Sequence, residues 1–293
     1  MRKSTFLYTA CCGVVIMLLV TSVILLNRRQ NNTFNGQRAY QDVVTQVEFG
    51  PRTPGSEAHA QTLLWLESEL KSAGWNVEIQ DAVIQGRTVQ NLIAARDEKP
   101  VNILLGAHYD SRMVADHDLG NGSIEPVPGA NDGASGVAVL LELARTLPPD
   151  TVPVWLVFFD AEDNGNLPGW DWILGSRAFV PLIPTRPRAV VIVDMVGDSD
   201  LNIYHEGSST PALIDAIWGQ AALLGYENQF IPNGKYTLID DHTPFLEVGI
   251  PAVDIIDFDY PYWHTTGDTA DKVAPKSLEV VGRTLWAWIV AYK

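Results

Sequence analysis

The sequence predicts an α/β protein: a single globular domain with a mostly parallel central sheet and helices on both faces, preceded by one N-terminal transmembrane helix. Three observations carry this expectation. Short, near-continuous apolar runs at 101–106, 152–159, 189–193 and 251–256 alternate with longer segments of helical spacing. Such alternation implies strands covered on both faces by helices. Several of the runs also stop abruptly on an acid or a histidine. In the clearest case, Val157-Phe158-Phe159 is followed by the carboxylates Asp160, Glu162 and Asp163. Open α/β sheets bind their ligands at the carboxyl ends of the strands, although an acid in that place also serves to cap a following helix.

The elements follow in order. Residues 6–26 form an uncharged apolar stretch of 21 residues, with Arg2 and Lys3 before it and Arg28 and Arg29 after it. That length spans a bilayer. No small-x-small cleavage site follows it cleanly, so 1–29 reads as a retained signal anchor with the domain outside the cytoplasm. Secretion after cleavage is the alternative. Residues 30–37 read as a polar linker and 38–293 as the domain. Segments 40–47 and 58–73 have helical spacing, and Gly74 is placed to end the second. Asn76–Ile84 and 88–95 read as a hairpin with Gly86 in its turn. The strand 101–106 runs into His108. A helix over 133–147 is stopped by Pro148 and Pro149. Strands follow at 152–159 and 189–193, a helix at 211–224, a strand at 251–256, and a closing amphipathic helix at 277–290.

Both cysteines, Cys11 and Cys12, lie in the apolar stretch. The domain therefore uses no disulfide, no thiol chemistry and no cysteine ligand for a metal. The formal charge is −15, and removing the four cations of the first thirty residues leaves −19 for the remainder. A surface this acidic argues against nucleic acid or anionic lipid as a partner. It suits a substrate bearing a positive amine, although solubility is the commoner meaning.

The chemistry is carried by residues at element ends. His108 follows a strand, Asp132 opens a helix after a Gly-Ala-Asn turn, and Glu162 and Asp163 follow the central strand. Asp194 ends the next strand, and His264 lies in a loop after the last one. In a parallel sheet these ends converge on one rim. Imidazole and carboxylate ligands without thiolate suit a catalytic zinc with an open position. Such a site also needs a non-ligating acid as proton shuttle. Glu162 and Asp163 fit that division, because neighbouring side chains diverge. Singly, each position has a plainer reading: His108 as a hydrogen-bonded core residue, Asp132 as a helix cap, Asp194 as a strand-end acid, Trp263 as packing. Their joint placement points to a site.

In these residues the chain resembles the di-zinc exopeptidase superfamily, in its branch of bacterial leucyl-aminopeptidase-type zinc peptidases and glutaminyl cyclases. The resemblance runs from about residue 40 to the C-terminus. Its motifs are His-Tyr-Asp-Ser at 108–111, Gly-Ala-Asn-Asp-Gly-Ala-Ser-Gly at 129–136 and Phe-Phe-Asp-Ala-Glu-Asp at 158–163. Gly-Ser-Arg at 175–177, Asp-Asp-His-Thr-Pro-Phe at 240–245 and Tyr-Trp-His-Thr at 262–265 complete them. In the aminopeptidase branch, the resemblance implies two zincs bridged by Asp132, with His108, Asp163, Asp194 and His264 shared between them and Glu162 as base. In the cyclase branch it implies one zinc on Asp132, Asp163 and His264, with Glu162 carrying the proton and Asp194 pairing with a catalytic Asp240. Trp170, Trp263 and Asp194 would then contact substrate. Asp240 and Trp263 lean towards the cyclase. Asp163, where both branches usually have Glu, and the Gly-Ala-Asn-Asp-Gly-Ala run depart from it. The expectation is therefore an enzyme acting on the free N-terminus of peptides, converting N-terminal glutamine to pyroglutamate with release of ammonia. The alternative is a di-zinc aminopeptidase. The third reading is a non-catalytic binding ectodomain, and intact ligand positions with Glu162 speak against it.

Overall fold

The computed structural model describes residues 34–97, 99–118 and 124–292. The expected membrane anchor at 1–29 lies outside the described residues. Among the described residues, no helix is long and apolar enough to cross a membrane.

The strands are β1 (Asn76–Ile84), β2 (Arg87–Ala95), β3 (Ile103–His108), β4 (Val154–Phe159), β5 (Ala189–Asp194), β6 (Ile203–Glu206), β7 (Phe230–Tyr236) and β8 (Ala252–Ile256). The helices are α1 (Gly36–Glu48), α2 (Glu57–Ser72), α3 (Ala134–Thr146), α4 (Leu174–Phe179), α5 (Pro211–Leu223), α6 (Thr243–Glu247) and α7 (Pro275–Ala291). Helix α1 begins inside the expected linker because Asn35 caps it, its side chain accepting from the Arg38 N–H at 3.0 Å.

Six strands form one sheet in the order β1-β2-β4-β3-β5-β8. The sheet is mixed: three of its five strand pairings are parallel, in keeping with a mostly parallel sheet, and two are antiparallel. Strands β4, β3, β5 and β8 run parallel, but β2 pairs antiparallel with both β1 and β4. The reason is the hairpin turn. Gln85 and Gly86 both take positive φ, 52° and 75°, the two-residue turn whose twist suits antiparallel partners. That turn was legible, but which strand the hairpin would join was not. Strands β6 and β7 make a separate two-stranded parallel sheet that the apolar pattern did not announce.

The inner strands β3 and β5 are buried at every position, as their unbroken apolar sequences require. One core lies between the sheet and α1, α2, α3, α5 and α7; a second, around Phe159, Phe179, Phe245 and Ile192, lies under α4 and α6 on the other face. From β3 the chain goes to β4 on one side and then to β5 on the other. This reversal opens a crevice at the carboxyl ends of the strands. Helix α3 sits against that crevice because Gly136 lets it touch the sheet: an added Cβ would collide with the Val193 carbonyl oxygen.

Candidate active site

The sheet brings the expected ligands together. His108 and Asp194 are the last residues of β3 and β5, Asp132 stands just before α3, and Glu162 and Asp163 follow β4. His264 lies in the loop after β8, with φ at +58°. All six are buried. His108 Nε2 lies 3.0 Å from Asp132 Oδ1 and 3.1 Å from Asp194 Oδ1. His264 Nε2 lies 2.8 Å from Asp163 Oδ1 and 4.0 Å from Asp132 Oδ2. Asp132 thus presents one oxygen to each histidine and belongs to two metal-competent groups, His108–Asp132–Asp194 and Asp132–Asp163–His264. Gly133 permits the first group, since a Cβ there would strike the His108 ring.

These donors fit zinc. They are imidazole nitrogens and carboxylate oxygens lying within 4.8 Å of one another, with no thiolate. Asp163 Oδ2 is buried without a hydrogen-bond partner, a costly state for a carboxylate unless a cation meets it.

Burial dominates the electrostatics. It pushes the Glu162 carboxyl well above its ordinary value, against the pull of His108 and with the help of the Asp240 and Asp163 charges. Burial likewise raises Asp163 to about 6 and Asp194 to about 7. At Asp132 burial also pushes upward, but the hydrogen bond from His108 and the charges of His108 and His264 outweigh it and hold the carboxyl low. A carboxyl raised by burial and standing beside a metal-competent group is suited to carry a proton.

A cavity of about 240 Å³ opens onto these groups, its wall including Glu162, Asp194, Asp240, Trp172 and Trp263. Trp263 stands where the sequence expected it. Trp170 does not line the cavity. Its ring lies under the Arg87 guanidinium at 4.3 Å, packed with Val89, Ala161 and Leu174. Trp172 forms the wall instead, its ring stacked along His264 at 5.9 Å and 16°. Two indoles two residues apart in an irregular loop are indistinguishable by sequence pattern.

Asp194 turns to His108 and feels Asp240 through its charge. Asp240 lies instead beside the buried Asp254 of β8, whose carboxyl burial and the Asp240 charge hold well above the ordinary range. Behind them His242 Nε2 lies 2.9 Å from Ser208 Oγ and 3.2 Å from Glu206 Oε2. Burial alone would raise Glu206, but hydrogen bonds from His242 and the Ser208 N–H bring it from 4.5 down to about 2. A carboxyl lowered by folding stabilises the fold above its unfolded value, and that contribution is lost as the pH falls through the folded one. Glu206→Gln is therefore expected to cost about 2 kcal/mol at neutral pH. In urea titrations the gap from the parent should close between pH 4.5 and 2. A gap independent of pH would sink this account.

Three further residues hold the site and were not singled out from sequence. Asp110 accepts from the Glu162 and Asp163 N–H groups at 3.0 and 3.4 Å and lies 3.4 Å from His108 Nδ1. Asp268 accepts from the Asn131 and Asp132 N–H groups at 2.8 and 3.2 Å. Arg52, fully buried, donates to the carbonyls of Tyr109, Pro128 and Gly129 at 3.0, 3.0 and 2.6 Å. Only Asp110, inside the His-Tyr-Asp motif, carried a signal. The other two act on segments far away in the chain.

Residues 91–289 match the model of peptidase family M28. The chain belongs to peptidase family M28. With that membership and the zinc-fitting donors, it is a zinc-dependent enzyme. This M28 chain is similar to the solved glutaminyl cyclase of Tannerella forsythia, with 36% identity and a TM-score of 0.81 over 89% of this chain and 100% of that one. It is also similar to a Zn-dependent exopeptidase from Parabacteroides distasonis, with 32% identity and a TM-score of 0.84 over 89% of this chain and 99% of that one. A glutaminyl-peptide cyclotransferase-like protein of Bos taurus is 25% identical over 284 residues, covering 82% of this chain and 72% of that protein.

Proposed function

We propose that this M28 chain is a glutaminyl-peptide cyclotransferase that closes an N-terminal glutamine to pyroglutamate and releases ammonia. The carrying observation is the small cavity whose two indole walls, Trp172 and Trp263, face the carboxyls of Glu162, Asp194 and Asp240. The likeness to a solved glutaminyl cyclase supports the same reading. Asp132, Asp163 and His264 would hold one zinc, which supplies Lewis acidity toward a carboxamide oxygen. Asp194 and Asp240 bind and orient the α-amine. Glu162 accepts a proton from that nitrogen as it bonds to the side-chain carbonyl carbon. The same carboxyl returns the proton to the amide nitrogen, which leaves as ammonia. Trp172 and Trp263 exclude water, so that the internal amine, and not water, attacks.

The test is to incubate the purified chain with a glutamine-initiated peptide and to follow its mass. Loss of one ammonia with the peptide bond intact is expected; cleavage of the first residue without that loss rejects the cyclase.

A second reading has its own observation. Asp132 lies between His108 and His264, and Asp194 sides with His108, as a bridged pair of metals would require. In a di-zinc aminopeptidase, Glu162 would act as base toward water. Metal analysis separates the two: one zinc per chain at saturation for the cyclase, two for the aminopeptidase. We place the proposed enzymatic domain, 38–293, outside the cytoplasm on the signal anchor 1–29.

A further inference from the structure

His264 poses a problem that the residues around it answer. Its backbone is in the left-handed region, φ +58°, which a β-carbon disfavours and which persists only where the surroundings impose it. Its ring must also turn Nε2 towards Asp163 and Asp132; Trp263 of its own loop packs on that ring at 3.9 Å but offers its Nδ1 no acceptor.

The segment after β3 imposes both. The His117 N–H donates to the His264 carbonyl at 3.1 Å. Asp118 accepts from the Thr266 N–H at 3.0 Å and from the Thr266 hydroxyl at 2.9 Å. These contacts fix the backbone of the loop. The ring is met separately: Asp116 Oδ1 lies 3.5 Å from His264 Nδ1, the nitrogen facing away from the metal-competent group. Asp116 is itself held by Arg112, whose Nε and Nη2 donate to its two oxygens at 2.8 and 2.6 Å. The third guanidinium nitrogen, Nη1, donates to the Asp163 carbonyl at 2.8 Å. The same guanidinium lies over Trp172 at 5.1 Å, and Trp172 stacks along the His264 ring. One buried arginine thus ties together the segments carrying Asp163 and, through Asp116, His264. His108 gains nothing from this pair, because its own Nδ1 faces Asp110.

We propose that Asp116, braced by Arg112, is the positioning residue for His264, and that the pair sets the zinc affinity of the Asp132–Asp163–His264 group without acting on the His108–Asp132–Asp194 group. A carboxylate on the far nitrogen of a ligating histidine fixes its tautomer and raises its basicity. The reverse charge order, Arg112 unneutralised beside the ligands, would weaken a cation. The inference rests on the zinc reading above.

The experiment measures zinc affinity of the full chain by competition with a chromogenic chelator, for the parent, Asp116→Asn and Asp118→Asn. The Asp116 side chain is 37% exposed, and the isosteric amide keeps its size and one acceptor oxygen for Arg112, so the fold is burdened only by the lost charge. Asp116→Asn is expected to weaken the zinc site containing His264 by about 10–100-fold. A cobalt-loaded sample should show altered visible absorption bands, and the zinc-free protein should lose far less stability than the zinc site loses affinity. Asp118→Asn, which loosens the loop but leaves the ring's partner, should keep parental affinity and bands. If a second zinc binds, its affinity should be the same in all three proteins. Parental affinity in Asp116→Asn overturns the inference, as does equal weakening in Asp118→Asn or an equal loss of zinc-free stability. A parent that binds no zinc removes the proposed function itself, a different and recognisable failure.

Discussion

Glu162→Gln lowers turnover of a glutamine-initiated peptide by about 10²–10⁴-fold, the usual span for removing a general acid–base, while zinc content and thermal stability stay near those of the parent. Glu162 lines the cavity next to Asp163, yet it belongs to neither metal-competent group. Burial raises its carboxyl well above the ordinary value, as suits a group that carries a proton. The amide keeps the size of the side chain and can neither accept nor return that proton. Both readings of the site assign Glu162 this work, so the variant tests the machinery rather than the reaction. Steady-state kinetics of ammonia release and of amine release should fall together. A variant retaining parental turnover would instead remove Glu162 from the proton transfer, and a parent without turnover would return the non-catalytic ectodomain reading.

Arg52→Met should destabilise the fold by about 3–5 kcal/mol in urea unfolding, among the largest effects of a single change. The guanidinium is fully buried and donates to three backbone carbonyls, two of them in the Pro128–Gly129 turn that leads into Asp132. Methionine fills most of the volume but takes that donor from the Tyr109 and Pro128 carbonyls, at about 1–3 kcal/mol for each that finds no substitute, while the Gly129 carbonyl keeps the Ala134 N–H. Burial pushes Arg52 down to about 10, and the charges of Asp268, Asp110 and Asp132 pull against it. The variant therefore also strips three acids near the site of their cation. A loss below about 1 kcal/mol would mean that the turn finds other donors, and that Arg52 is not what holds Asp132 in place.

These residues mark where the sequence became silent. The strand β4, followed by Asp160, Glu162 and Asp163, was readable because apolar runs and abrupt stops are local patterns, and so were α3, α7 and the Gly86 turn. The M28 motifs likewise announced zinc-fitting donors before any geometry existed. What no local pattern contains is the pairing of segments. Whether the hairpin joined β4 antiparallel, whether Trp170 or Trp172 faced the cavity, and that Asp240 would lie beside Asp254 all depend on distances between parts of the chain far apart in sequence.

The sequence by itself determined the α/β class, the order of its main elements and the residue types at the rim, because burial on two faces writes itself into periodicity and composition. Tertiary structure alone decided which oxygen of Asp132 meets which histidine, and which buried arginines, Arg52 and Arg112, brace the loops around it. The physical reason is that an ion pair or a hydrogen bond is specified by geometry within a few ångströms, and the chain brings such partners together only by folding.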